Sequence, residues 1–169
     1  MTWVLALERT APGDRSASIE PAPPGWYLVD AIMSGTDEDG RIYYRIIADR
    51  VVQRAEGDNL ELENMSVEFT ADTEVRWAIT AARGIAPASR DFLHLLEDVR
   101  LVRSPEANED ATVVEMQELQ LYTDEFRATS DGVIAMRSGA MDFTATGLSI
   151  DLKNDDWELK SDGTFRYAR

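Results

Sequence analysis

Apolar and polar residues alternate with a period of two along much of this chain, the signature of strands that bury one face. In the run that follows Asp39-Gly40, Ile42, Tyr44, Ile46 and Ala48 fall on one side of an extended backbone and Tyr43, Arg45, Ile47 and Asp49 on the other. The turn-formers from Gly35 to Gly40 and the apolar run Trp26 to Met33 before them complete a predicted hairpin. A turn at Glu56-Gly57-Asp58-Asn59 precedes Leu60, Leu62, Val67 and Phe69, where the pattern resumes. Val75, Trp77, Ile79 and Ala81 then alternate with Arg76, Ala78, Thr80 and Ala82, and Arg83-Gly84 is expected to close that strand. Ser89 to Val99 is compatible with a strand or with a short helix capped at Ser89.

From Ala111 onward, strand-like segments recur every ~8–12 residues, the spacing of sandwiches, barrels and solenoids. They are Val113 to Met116, Leu119 to Tyr122, Gly132 to Met136, Met141 to Ala145, Leu148 to Leu152, Trp157 to Leu159 and Phe165 to Tyr167. Ser130-Asp131-Gly132 and Ser161-Asp162-Gly163 read as turns with glycine at the position of positive φ. The fold class is therefore all-β. Residues 1–25, with four prolines and two glycines between Glu8 and Gly25 and no periodicity, read as an arm, and residues 26–169 as one ordered domain.

A chain of 169 residues can bury a core without staples, and it holds no cysteine, which removes disulfides, thiol nucleophiles and thiolate metal sites. The formal charge of −15 repels phosphate backbones, so nucleic acid is excluded as an expected partner. No apolar run approaches the ~20 residues of a membrane span. Trp3 to Leu7 is the longest early candidate, and its abrupt opening is what a chain starting just after a membrane anchor would show.

Candidate chemistry is sparse. The single histidine, His94, sits among Leu93, Leu95 and Leu96 with no convergent partner, and reads as a satisfied or solvent-facing side chain. Asp37-Glu38-Asp39, Glu109-Asp110 and Asn154-Asp155-Asp156 lack the ligand spacing of a calcium loop, and no phosphate-cradling glycine loop is present. Neither catalysis, a metal nor a cofactor is expected. What remains is the long apolar side chains on one face of most strands, Tyr44, Leu62, Trp77, Met116, Leu121, Phe143, Leu148, Ile150, Trp157 and Tyr167 among them. They enclose either a filled core or a groove for hydrocarbon, and both stay open at this stage.

The order of Tyr27-Leu28-Val29-Asp30-Ala31, the Gly40 to Ala48 run with its Tyr44-Arg45, Leu60 to Leu62, Val75-Arg76-Trp77, Phe143 and Thr146-Gly147-Leu148 resembles the LptC family of the bacterial lipopolysaccharide-export machinery. The resemblance covers about residues 26 to 168 and implies an open, twisted β-jellyroll-like sheet pair of the OstA/LptA type. It implies a periplasmic protein, attached to the inner membrane if an anchor lies upstream. Such a protein receives lipopolysaccharide from the inner-membrane Lpt ABC transporter complex and passes it to the periplasmic bridge protein LptA by edge-strand pairing. Carried over by position and by the predicted inward faces, the lipid-binding residues would be Ala31, Tyr44, Ile46, Leu62, Leu148, Ile150, Trp157 and Tyr167. Gly40 and Gly139 would lie at partner contacts, with Gly139→Arg expected to weaken assembly more than folding. This chain departs from the family at Glu97-Asp98, where relatives tend to have a glycine turn, and at Asp162, which replaces a lysine. The alternative of another class is a β-sandwich interaction or adhesion module with a filled core.

Overall fold

The computed structural model describes residues 25–36, 39–54, 58–69, 76–87, 92–104, 110–160 and 164–167. Ten strands are found there: β1 (Gly25–Thr36), β2 (Ile42–Arg54), β3 (Leu60–Phe69), β4 (Arg76–Ala86), β5 (Leu93–Ser104), β6 (Thr112–Tyr122), β7 (Arg127–Ser138), β8 (Met141–Asp151), β9 (Asp156–Leu159) and β10 (Thr164–Tyr167). They form one antiparallel sheet in the order β1-β2-β3-β4-β5-β6-β7-β8-β10, with β9 also on β8. Among the described residues β1 pairs only with β2, and β9 and β10 only with β8, so the sheet is not closed into a barrel. No helix among them is long and apolar enough to cross a membrane.

A row of irregularities crosses every long strand at mid-length. Asp30, Asn64, Glu97, Asp98 and Gly147 have positive φ, at 52°, 47°, 63°, 51° and 78°. The pairing register slips at the same level, between Thr80 and Arg83, Leu96 and Val99, Met116 and Gln120, and Ser130 and Val133. Asp49 falls opposite Asn64 and the two side chains hydrogen-bond, Nδ2 to Oδ2 at 3.0 Å. The row ends where the Lys160 N–H donates to the Gly147 carbonyl at 3.1 Å.

These kinks keep the apolar face inward on both sides of a corner. In β2 the buried residues are Tyr44, Ile46 and Ala48 before the kink and Val51 after it. In β6 they are Val114 and Met116, then Leu119 and Leu121. A regular strand alternates strictly, so one extra residue moves every later side chain to the other face. Here that flip accompanies a bend, and the sheet folds over into two layers that share one apolar interior. Aspartate and asparagine are the non-glycine residues that most readily take the left-handed conformation, which suits them to this row.

The expectation of an all-β, open, jellyroll-like sheet pair is met, while several local readings change. Arg83-Gly84 does not close β4, which runs on to Ala86. The segment from Leu93 is a strand and not a helix. The predicted Val113–Met116 and Leu119–Tyr122 strands are two halves of β6, and Met141–Ala145 and Leu148–Leu152 fall largely in the two halves of β8. Ser130-Asp131-Gly132 lies within β7, at its kink. The expected arm up to Pro24 and the Ser161-Asp162-Gly163 turn lie outside the described residues.

Candidate functional site

The interior is built by alternation within each half-strand. Ala31, Tyr44, Ile46, Leu62, Leu148 and Ile150 all point into it, each no more than 6% exposed. Trp157 is half-buried and packs against the same cluster. Tyr167 lies on β10 opposite Met141, and its side chain is outside the described set. Side chains near 0% exposure line no water-sized space, so in this state the two layers meet through filled apolar contact at Val51, Ile79, Leu101, Leu148 and Ile150.

Opposite the bent corner, the free ends of the two layers touch through two clusters of side chains. In the first, the ends of β2 and β3 meet the β6–β7 turn. The Tyr43 hydroxyl donates to Asp124 Oδ1 at 3.0 Å, and the Phe126 ring stands 5.5 Å from Tyr43 and 5.7 Å from Phe69. Tyr44 is hydrogen-bonded with Thr123, and burial pushes its hydroxyl pKa above the ordinary tyrosine value. The Leu152 N–H ties the turn to β8 by donating to the Phe126 carbonyl at 2.7 Å.

In the second cluster, the ends of β4 and β5 meet the β8–β9 turn. Trp77 and Arg103 are register partners on neighbouring strands and reach across to that turn. Arg103 donates Nε to both oxygens of Asp155 at 2.9 Å and Nη2 to Oδ2 at 2.6 Å. The indole N–H of Trp157 also donates to Asp155, at 3.2 Å, and the Trp77 and Trp157 rings are 5.3 Å apart. Asp155 has φ 55°. Asp151 shapes the turn that presents it, accepting from the backbone N–H groups of Lys153 and Asn154 at 2.9 Å and from Asn154 Nδ2 at 2.6 Å. The hydrogen bonds from Asn154 hold the Asp151 carboxyl below the usual aspartate range.

Gly40 is exposed at φ 80° with open space around it. Gly139, φ 55°, closes the β7–β8 turn against Asp110, and a Cβ there would press on that carboxylate. A substitution at Gly139 therefore strains the turn itself, besides any effect on a partner. His94 lies on the outer face, 3.7 Å from Glu118. A groove of about 690 Å³ on the outer face runs past Arg100, Glu115, Arg137, Asp142 and Thr144. Its arginines are each beside a carboxylate, Arg137 to Asp142 at 2.9 Å and Arg100 to Glu115 at 3.9 Å, so it offers little to an anion. Among the described residues no group of three or more His, Asp or Glu is disposed to hold a metal ion.

The family profile described as lipopolysaccharide-assembly, LptC-related, matches residues 1–168. The chain belongs to the LptC family. Membership makes it a component of lipopolysaccharide transport. Among solved structures, the chain is similar to LptH, the LptA-homologous periplasmic component of the lipopolysaccharide transport device from Pseudomonas aeruginosa. The identity is 10% and the TM-score 0.41, over 87% of this chain and 96% of that one. No curated protein sequence matches significantly.

Alternation marks Tyr44, Ile46, Leu62, Leu148 and Ile150 as inward residues, and the family resemblance adds Ala31. No local pattern marks Arg103 and Phe126, and none gives Tyr43 or Asp155 its role here, because the hydrogen-bonded pairs Arg103–Asp155 and Tyr43–Asp124 join residues 52 and 81 positions apart.

Proposed function

We propose that this LptC-family domain works in the periplasm, held at the inner membrane, and carries lipopolysaccharide by taking its acyl chains between the two layers. The lipid arrives from the inner-membrane ABC transporter and leaves to the bridge protein LptA, through edge-strand pairing at the open ends of the sheet. The observation that carries this reading is the continuous apolar lining of a sheet folded on itself without closing. Each methylene moved from water into such a lining gains ~0.8 kcal/mol, so a few chains bind firmly without a charged contact. That suits a protein of net charge −15 handling a phosphorylated lipid. The edge of β1 that no described strand pairs, with Trp26, Tyr27, Val29 and Ile32 exposed along the strand, is a template for a partner's strand.

A photo-crosslinking amino acid at Leu62 or Ile150, followed by incubation with lipopolysaccharide, tests the reading. Adducts are expected from both interior positions and none from the outward-facing Glu115. Equal yields from all three positions, or none, would overturn it. The near-zero exposure of the interior favours one competitor, a module with a permanently filled core. For that competitor a bulky probe at Leu62 only unfolds the domain, and no lipid adduct forms at Ile150.

A further inference from the structure

Of the two clusters that join the free ends of the layers, one buries a donor that meets no acceptor among the described residues. Trp77 is 2% exposed, and its Nε1–H has no hydrogen-bond partner among the described residues. A buried donor left unsatisfied costs ~1–3 kcal/mol, and native structures seldom keep one without a reason. The nearby carboxylate does not serve it. Asp155 instead takes Trp157 Nε1 and the Arg103 fork. The orphan N–H thus sits on the inner face of β4, beside the aliphatic lining that begins at Ile79 and Leu101. Next to it stands a mostly buried polar pair, with the Arg103 and Asp155 side chains 19% and 27% exposed. An acyl chain lodged in the interior with its linkage at this pair would bring a carbonyl oxygen to the depth of that indole.

We infer that the Trp77–Trp157–Arg103–Asp155 cluster is the site that receives the ester or amide carbonyl at the polar end of a bound acyl chain, with the Trp77 indole N–H as donor. This rests on the reading of the interior as a lipid carrier and adds the orientation of the lipid in it. The hydrocarbon runs inward past Ile79 and Leu101, and the linkage stops at the cluster. The Arg103–Asp155 pair joins β5 to the β8–β9 turn directly across the mouth. It is the contact that must part or shift for a chain to slide in sideways, and the left-handed backbone at Asp155 puts that carboxylate on a turn already off the commonest conformations.

The test compares two single-chain probes below their micellar concentrations, 1-palmitoyl lysophosphatidylcholine and its 1-O-hexadecyl ether analogue, which differ in the carbonyl alone. Titrated against the full chain, the ester is expected to bind about fivefold tighter than the ether, the equivalent of one neutral hydrogen bond. Trp77→Phe keeps an aromatic ring beside Trp157 and removes the N–H. It is expected to abolish the preference for the ester over the ether, whatever it does to the affinity that the two probes share. In the ¹⁵N-labelled wild-type protein the Trp77 indole resonance is expected to move downfield with the ester and not with the ether, a readout that needs no variant to fold. Equal binding of both probes to the wild type, or an indole resonance indifferent to the carbonyl, overturns the inference and leaves lipid carriage standing. Failure of both probes to bind overturns both.

Discussion

The two clusters that pin the layers together perform one mechanical task with different chemistry. At the β6–β7 turn the contact is made by rings, with the Tyr43 and Tyr44 hydroxyls both partnered. At the β8–β9 turn it is made by a bidentate ion pair and two indoles, one of them without an acceptor among the described residues. Aromatic packing keeps its strength in salt and across pH, whereas a partly exposed ion pair gives up much of its attraction to screening and a lone buried donor subtracts from stability. The first cluster is therefore built as a permanent joint. The second, an ion pair beside a buried indole, is the more easily loosened of the two.

The comparison is most severely tested at Phe126, whose ring bridges Tyr43 and Phe69. Phe126→Ala should lower unfolding stability by about 2–3 kcal/mol in a urea titration, less than a fully buried phenylalanine because the ring is only half-buried. A loss under about 0.5 kcal/mol would mean the rings are not the joint. Asp155→Ala removes the acceptor of Arg103 and Trp157 and should cost about 1–2 kcal/mol, discounted for the exposure of the pair. Raising salt from low to molar should shrink that penalty and leave the Phe126 penalty unchanged; identical salt responses would erase the distinction between the clusters.

Gly147 provides a reference at the bent corner, away from both clusters. Its φ of 78° and the 2.7 Å approach that a Cβ would make to Lys160 Cβ predict a loss of about 1–2 kcal/mol for Gly147→Ala. Gly132, where a new Cβ comes no nearer than 3.8 Å to Ser130 Oγ, should lose clearly less on the same change. The smallest effect concerns acid. Asp151 has a depressed pKa in the folded protein, so the stability it contributes is complete above the ordinary aspartate value and is lost as pH falls through the lower folded one. Trp77 and Trp157 fluorescence should therefore report loosening of the β8–β9 turn only below about pH 4, ahead of any change at Tyr43. Simultaneous acid transitions at the two ends would count against independent joints.

The fold class and most of the inward residues could be read from the chain because alternation survives within each half-strand. What escaped was the corner. The residues that turn it, Asp30, Asn64, Glu97-Asp98 and Asp131-Gly132, are of the same types that end strands in ordinary hairpins, so β6 and β8 read as two strands each and β7 seemed to begin at a turn. Glu97-Asp98 was noticed as a place where relatives have glycine. Its meaning, two successive left-handed residues inside β5, depends on the neighbouring strands kinking at the same level. The joints escaped for another reason: side chains meeting across layers leave no periodic trace. Trp77 was legible as an inward residue, but that its N–H lacks an acceptor is a property of the assembled surroundings alone.

The kink at Asp30 bears on who can bind. Among the described residues the outermost strand, twelve residues long, leaves one backbone edge unpaired, and that edge turns a corner partway along. A flat foreign segment, such as one from an aggregating chain, can follow it for half its length and no further. Only a strand creased at the matching position could lie alongside the whole of it, so the corner narrows the set of segments that could extend the sheet to those that turn with it.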